Sequence, residues 1–334
     1  MDITQLLQLC VRQKASDLHV SAGLPPMIRV DGDIRRIKIP ALGASDVQSM
    51  LCGLLDEAQQ ATFAAKKDLD FALSVPNLGR FRANFFQQQR GPAAVFRAIP
   101  DQVPSLAAVG APAIIQTICQ ESQGLVLVTG ATGSGKSTTL AAMLDYKNVT
   151  TAEHILTIED PIEFIHQPKQ CLINQREVQR DTDSFATALR AALREDPDII
   201  LVGELRDLAT IRLALTAAET GHLVFATLHT RSAAQTINRI IDVFPAAEKT
   251  MIRSLLSTSL RAVIAQTLIK QSSGGRVAAH EILRNTPAIQ NLIREDKVAQ
   301  IYSAIQTGQA HGMQTLAQAT ETLIQRKTCE RGSL

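Results

Sequence analysis

A chain of 334 residues, 45% of them hydrophobic and only 20% charged, is long enough for two ordinary domains with buried cores, which excludes a disordered or fibrous chain. Its 34 basic and 32 acidic residues are interspersed and nearly cancel to +2, so no basic field marks a nucleic-acid or anionic-membrane partner. Five cysteines stand singly with no C-x-x-C pair, which argues against a disulfide framework and a cysteine-rich zinc module.

The opening "MDITQLLQLCVRQK" has Asp2 early and charges on both sides of a short apolar stripe, which suits a helix from Ile3 to Lys14 and not a signal peptide. The uncharged run from Gln102 to Gln120 carries two prolines and is too polar for a bilayer span. A cytoplasmic protein without a transmembrane segment is the expectation. Up to residue 99 the pattern is mostly short strands, "DLHV", "MIRV", "DIRRIKI", "LDFALSV", "GRFRANFFQQQ" and "AAVFRAI", divided by Gly, Pro and Asn turns. With a second helix from Ser45 to Leu55, residues 1–99 read as an α+β domain with an antiparallel sheet. "PDQVPSLAAVGAP", residues 100–112, holds three prolines and a glycine and reads as a linker.

From residue 113 to 334 the texture changes. "GLVLVTG", "HILTIED", "DIILVGE" and "HLVFATLH" are apolar runs that alternate with longer helical patterns, as in an α/β domain with a parallel sheet buried on both faces.

"GATGSGKS", Gly130 to Ser137, fits G-x-x-x-x-G-K-[ST] at every fixed position, directly after one strand and before a helical stretch. Glycines let backbone N–H groups turn inward around phosphates, Lys136 puts a cation at the β/γ oxygens, and the Ser137 hydroxyl is placed for Mg²⁺. Hydrolysis also needs an acid for the metal shell and a base for water, and both usually sit at neighbouring strand ends. Two acidic strand ends are present. In "ILTIEDPIEF", Pro161 breaks the strand and leaves Glu159, Asp160 and Glu163 in a short loop, and "DIILVGELRD" ends in Gly203 and Glu204. A third run, "GHLVFATLHT", is bracketed by His222 and His229 and adds Thr227; the imidazoles could sense a γ-phosphate or serve the fold alone. A loop is expected between Tyr146 and His154. Further on, Thr286 caps "PAIQNLIRED", in which Ile289, Leu292 and Ile293 fall at i, i+3 and i+4 of an amphipathic helix.

Taken in order, the P-loop, "TIEDPIEF", "DIILVGELRD" and "GHLVFATLHT" resemble the four boxes of the secretion-type ATPase family. The likeness extends from "ASDLHVSAGLPPMIRVDGDI" through "NQREVQRDT" to "EDKVAQIYSAIQTG" and is closest to the branch that retracts type IV pili. "AIQNLIRE" matches that branch's C-terminal signature at seven of eight positions, with Gln290 where the branch has arginine.

The resemblance implies a PAS-like N-terminal domain, then a RecA-like P-loop core with C-terminal helices. ATP is then held by Gly130, Thr132, Gly133, Ser134, Gly135, Lys136, Ser137 and Thr138, with Mg²⁺ at Ser137 and, through water, at Glu204. Glu163 is implied to activate water, His229 to read the γ-phosphate with support from His222, and Arg82 and Arg97 to close over the nucleotide. It further implies a homohexamer at the cytoplasmic face of the bacterial inner membrane, acting on a pilus platform protein and beside an accessory retraction ATPase. The alternatives are that accessory paralogue itself, or an extension or secretion ATPase, whose longer N-terminal region and paired-cysteine module have no counterpart here. A nucleic-acid motor would need an aromatic, basic groove, against 4% aromatic residues and no tryptophan.

Overall fold

The computed structural model describes residues 2–30, 32–99, 102–272 and 274–330, and the chain divides into two compact units between Gln102 and Val103. Pro100 and Asp101, which open the expected linker, lie outside the described residues. From Val103 onward the rest of that stretch belongs with the second unit, because Leu106 is buried in its core and Val109 and Ala111 pack against it.

The first unit runs α1 (Ile3–Arg12), β1 (Asp17–Ser21), β2 (Met27–Val30), β3 (Asp33–Arg36), α2 (Ala44–Cys52) and α3 (Glu57–Lys66). It closes with β4 (Asp68–Val75), β5 (Gly79–Gln88) and β6 (Gly91–Ile99). All six strands form one sheet, ordered β3-β2-β1-β6-β5-β4, and every pairing in it is antiparallel. Leu6 and Leu7 of α1 close the core over Leu18, Phe81 and Phe96, while Phe85 meets Phe63, Phe71 and Phe96 edge-on at 5.1–6.2 Å. Helix α3 has no counterpart in the sequence reading. Its only buried side chain is Phe63, so no apolar stripe announces it. A reciprocal cap starts it, in which Asp56 accepts from the Gln59 amide at 2.8 Å and Gln59 accepts from the Asp56 amide at 3.1 Å.

The second unit begins with α4 (Ile114–Cys119), β7 (Gly124–Thr129), α5 (Lys136–Thr150), β8 (His154–Glu159), β9 (Leu172–Glu177), α6 (Phe185–Ala192) and β10 (Ile199–Val202). It continues with α7 (Leu208–Glu219), β11 (Leu223–Leu228), α8 (Ala233–Asp242), α9 (Lys249–Ser259), β12 (Leu260–Lys270) and β13 (Arg276–Arg284). Helices α10 (Pro287–Arg294), α11 (Ile301–Thr307) and α12 (Leu316–Gln325) complete it. The sheet order is β13-β12-β7-β11-β10-β8-β9, parallel except for the antiparallel hairpin of β12 and β13. Successive residues of β7 explain the apolar run: Leu125 and Leu127 enter the core beneath α6 to α9, whereas Val126 and Val128 enter the opposite core with Leu140 and Leu144 of α5.

Two local expectations change. Helix α5 continues through Tyr146 to Thr150, so the loop expected from Tyr146 is confined to the three residues before β8. In α10, Thr286 caps the Ile289 amide at 3.4 Å as expected, and Ile289 and Ile293 are fully buried, but Leu292 is only half-buried. Burial of each isoleucine contributes about 1.5–3 kcal/mol. Asn291, Arg294 and Glu295 are exposed. Among the described residues no helix is long and apolar enough to cross a membrane.

Candidate active site

Parallel register brings the ends of β7, β11, β10 and β8 level, with Leu228 opposite Thr129 and Val202 opposite both Ala226 and Ile158. Whatever follows these four strands therefore gathers at one edge of the sheet. After β7 comes the P-loop, which turns directly into α5 and so faces the positive end of that helix. Gly130 has a φ of 148°, and a Cβ there would collide with the Gln266 carbonyl and Ser134 Oγ. Gly135 (φ 86°) leaves room for Gln266 Nε2, which donates to the Ser134 carbonyl at 2.6 Å. The buried Gln266 of β12 thus braces the loop from a strand in which nothing in the sequence marked it.

Lys136 Nζ donates to the carbonyls of Gly130 and Ala131 at 3.0 and 3.1 Å and stands 3.5 Å from His229 Nδ1. The other ring nitrogen, His229 Nε2, is 3.1 Å from Glu204 Oε1, and Glu204 Oε2 pairs with Arg206 at 2.8 Å. One polar chain therefore links the P-loop lysine to the end of β11 and the end of β10. Burial pulls the Lys136 ammonium below its ordinary range, while the nearby Glu204 and Glu163 carboxylates oppose that pull. Burial also acts on Glu204, pushing it up, but Arg206 and His229 outweigh this and leave it below the usual carboxylate range.

Glu163 is placed by the segment after β8. Ile162 and Phe164 on either side of it are buried and Glu163 itself is half-buried, so its carboxylate emerges between two apolar anchors. Next to it lies Glu159, which the sequence put in the same loop and the structure makes the last residue of β8. Its carboxylate accepts from Thr157 Oγ1 at 2.7 Å and Gln175 Nε2 at 3.2 Å. Burial pushes Glu159 up to about 7, against the pull of those bonds and of the Glu163 amide.

Lys136, Glu163, Glu204 and His229 are brought together; His222 is not. It precedes β11, and its Nδ1 lies 3.0 Å from the Ala217 carbonyl at the end of α7, so the support expected of it at the nucleotide is corrected. Seven residues of extended chain put it roughly 20 Å from His229. Arg82 and Arg97 belong to the first unit, where they are directly opposite on β5 and β6. Arg82 pairs with Asp70 at 2.6 Å, and Arg97 pairs with the buried Asp17 at 2.8 Å.

The donors fit a small hard cation. The Ser137 hydroxyl stands in the first turn of α5 and Glu204 is held ionised, while among the described residues no group of three or more His, Cys, Asp or Glu is poised to cage a metal. That sparse set suits Mg²⁺, which keeps several waters and takes substrate phosphates as ligands.

The sequence profile described as "Type II/IV secretion system protein" matches residues 1–330. The chain is 63% identical to the type IV pilus retraction ATPase PilT of Pseudomonas aeruginosa, over 97% of this chain and 94% of that one. It is 57% identical to a twitching motility protein of Neisseria gonorrhoeae, over 96% of this chain and 86% of that one. Among solved structures, the pilus retraction motor PilT with bound ADP superposes with a TM-score of 0.91 at 45% identity, covering 100% of this chain and 96% of that one.

Proposed function

The chain belongs to the type II/IV secretion system protein family, and from that premise we propose that it is an Mg²⁺-dependent ATPase whose turnover drives type IV pilus retraction. The observation that carries this reading is the polar chain Lys136–His229–Glu204 assembled at a complete P-loop, with Glu163 close enough to act on the same ammonium.

The chemistry follows from the residues. The P-loop amides and Lys136 hold the β- and γ-phosphates and meet the charge that spreads over the γ oxygens. Gly130, Thr132, Gly133, Ser134, Gly135, Ser137 and Thr138 complete the cradle. Glu163 orients a water in line with the γ-phosphorus and takes its proton as the bond to the ADP oxygen breaks. When bound, Mg²⁺ would neutralise charge between the β and γ oxygens, held by Ser137 and through water by Glu204. His229 sits between Lys136 and Glu204, so a γ-phosphate that draws on the lysine is felt at the end of β10. Arg82 and Arg97, paired with Asp70 and Asp17 within the first unit, are the arginines that the family likeness assigns to the nucleotide.

The motor works as a homohexamer at the cytoplasmic face of the inner membrane, against a pilus platform protein and with an accessory retraction ATPase as a further partner. Family membership and the likeness to a solved retraction motor support this placement. The test is live-cell pilus retraction in the deletion strain. Wild type restores retraction and Lys136→Ala does not; retraction that persists without the gene, or with Lys136→Ala alone, overturns the reading.

A further inference from the structure

The segment 160–171 joins β8 to β9 and carries Glu163, and what holds it is an unusual strand. In β9, Gln175 is opposite Thr157 and Glu177 is opposite Glu159, so these four side chains share one face of the β8–β9 pair. β9 is the edge strand of the sheet, and on the face that carries Ile173 it continues with a half-buried glutamine and a buried glutamate.

Both side chains are spent on the backbone around Glu163. Gln175 Oε1 accepts from the His166 amide at 2.8 Å, while its Nε2 donates to the Phe164 carbonyl at 2.8 Å and to Glu159 at 3.2 Å. Glu177 Oε2 accepts from the Ile162 amide at 3.1 Å. The residues immediately before and after Glu163 are therefore each tied to β9. The far end of the segment is tied elsewhere: the fully buried Asn148 of α5 donates to the Gln167 carbonyl at 2.8 Å and accepts from the Lys169 amide at 2.9 Å.

We propose that Gln175 and Glu177 are positioning residues for hydrolysis, a polar clamp that fixes the Glu163 carboxylate relative to the P-loop by holding residues 162, 164 and 166. The inference rests on Glu163 being the group that activates water. Proton abstraction depends on placement: a base displaced by about 1 Å loses on the order of a hundredfold. Phosphate binding does not depend on this segment, because the cradle is built from β7, α5 and Gln266. The clamp therefore acts on kcat and leaves nucleotide affinity alone.

The experiment is steady-state ATP hydrolysis by the full chain as wild type, Gln175→Met, Glu163→Gln and the double variant, with ADP affinity measured in parallel. Methionine keeps the length of glutamine and removes its hydrogen bonds. Gln175→Met is expected to lower kcat about 10–100-fold while KM for ATP and ADP affinity stay within about threefold. In the Glu163→Gln background the same change is expected to cost less than about threefold, since the group it positions is already gone. Should Gln175→Met fold poorly, Gln175→Glu retains the acceptor for the His166 amide, loses the donor to Phe164, and is expected to lower kcat about tenfold. An unchanged kcat in Gln175→Met, or losses that multiply in the double variant, overturns the clamp. If Glu163→Gln alone hydrolyses ATP at the wild-type rate, the base assignment falls and takes the clamp with it.

Discussion

Strand β11 has a histidine at each end, and the two ends of the sheet it runs through differ in kind. At the end marked by His229, the P-loop, Glu204 and Glu163 converge, and the side chains of Lys136, His229 and Glu204 face one another in series at 3.5 and 3.1 Å. At the end marked by His222, polar groups close the fold: His222 Nδ1 meets the Ala217 carbonyl, the Gly124 amide donates to the His222 carbonyl at 2.9 Å, and Asp198 accepts from the His154 amide at 2.8 Å. All of these bonds involve backbone. The teaching is that strand direction, and not residue type, decides which bracketing histidine can reach a nucleotide. In parallel strands the carboxyl ends hold the ligand and the amino ends carry the joints.

Substitutions at the two ends sharpen this contrast. Lys136→Ala should lower ATP turnover at least roughly a hundredfold while the fold is kept, read as phosphate release beside a melting curve. His229→Ala should cost about 10–100-fold in turnover. His222→Ala, by contrast, should stay within about threefold of wild type; an equal loss at both ends would break the comparison. Away from the edge, Ile289→Ala should destabilise the second unit by about 2–4 kcal/mol because it empties a fully buried site. Leu292→Ala, half-buried, should cost less stability and leave turnover largely intact while pilus retraction falls. Gln290→Arg should change retraction least.

A pH effect separates Glu159 from its neighbours. Burial raises its folded value to about 7 from an ordinary 4.5, so the folded chain holds this proton more tightly than the unfolded one. Its contribution to stability is therefore present below about pH 4.5 and is lost as pH rises through about 7. Glu159→Gln keeps an acceptor for Thr157 and removes the titration. Its melting temperature relative to wild type should rise by about a few degrees between pH 5 and pH 8, and a constant difference would contradict the raised titration of Glu159.

The chemistry was more legible in the sequence than its supports were. The P-loop and the acidic and histidine-bearing strand ends are local patterns, each a strand followed by a short run of polar residues, whereas the choice of Glu163 over Glu159 and Asp160, and of His229 as the reader of phosphate, came from the family resemblance. Strand β9 escaped because only Ile173 is apolar on its covered face: Gln175 and Glu177, next on that face, serve backbone atoms of the neighbouring segment, so no apolar period appears. Gln266 escaped because its partner, the Ser134 carbonyl, is 132 residues away. Helix α3 rests on a cap and one phenylalanine, too little for a periodic signal. His222 was drawn to the site by symmetry of the motif, which hides the length of the strand between the two imidazoles.

The most direct measurement is ATP turnover by Glu163→Gln at saturating Mg²⁺ and ATP, with nucleotide affinity determined on the same preparation. A base held at the carboxyl end of β8 predicts a loss on the order of 10²–10⁴ in kcat with affinity within about threefold of wild type. Wild-type turnover by that variant would contradict the assignment of water activation to this edge of the sheet.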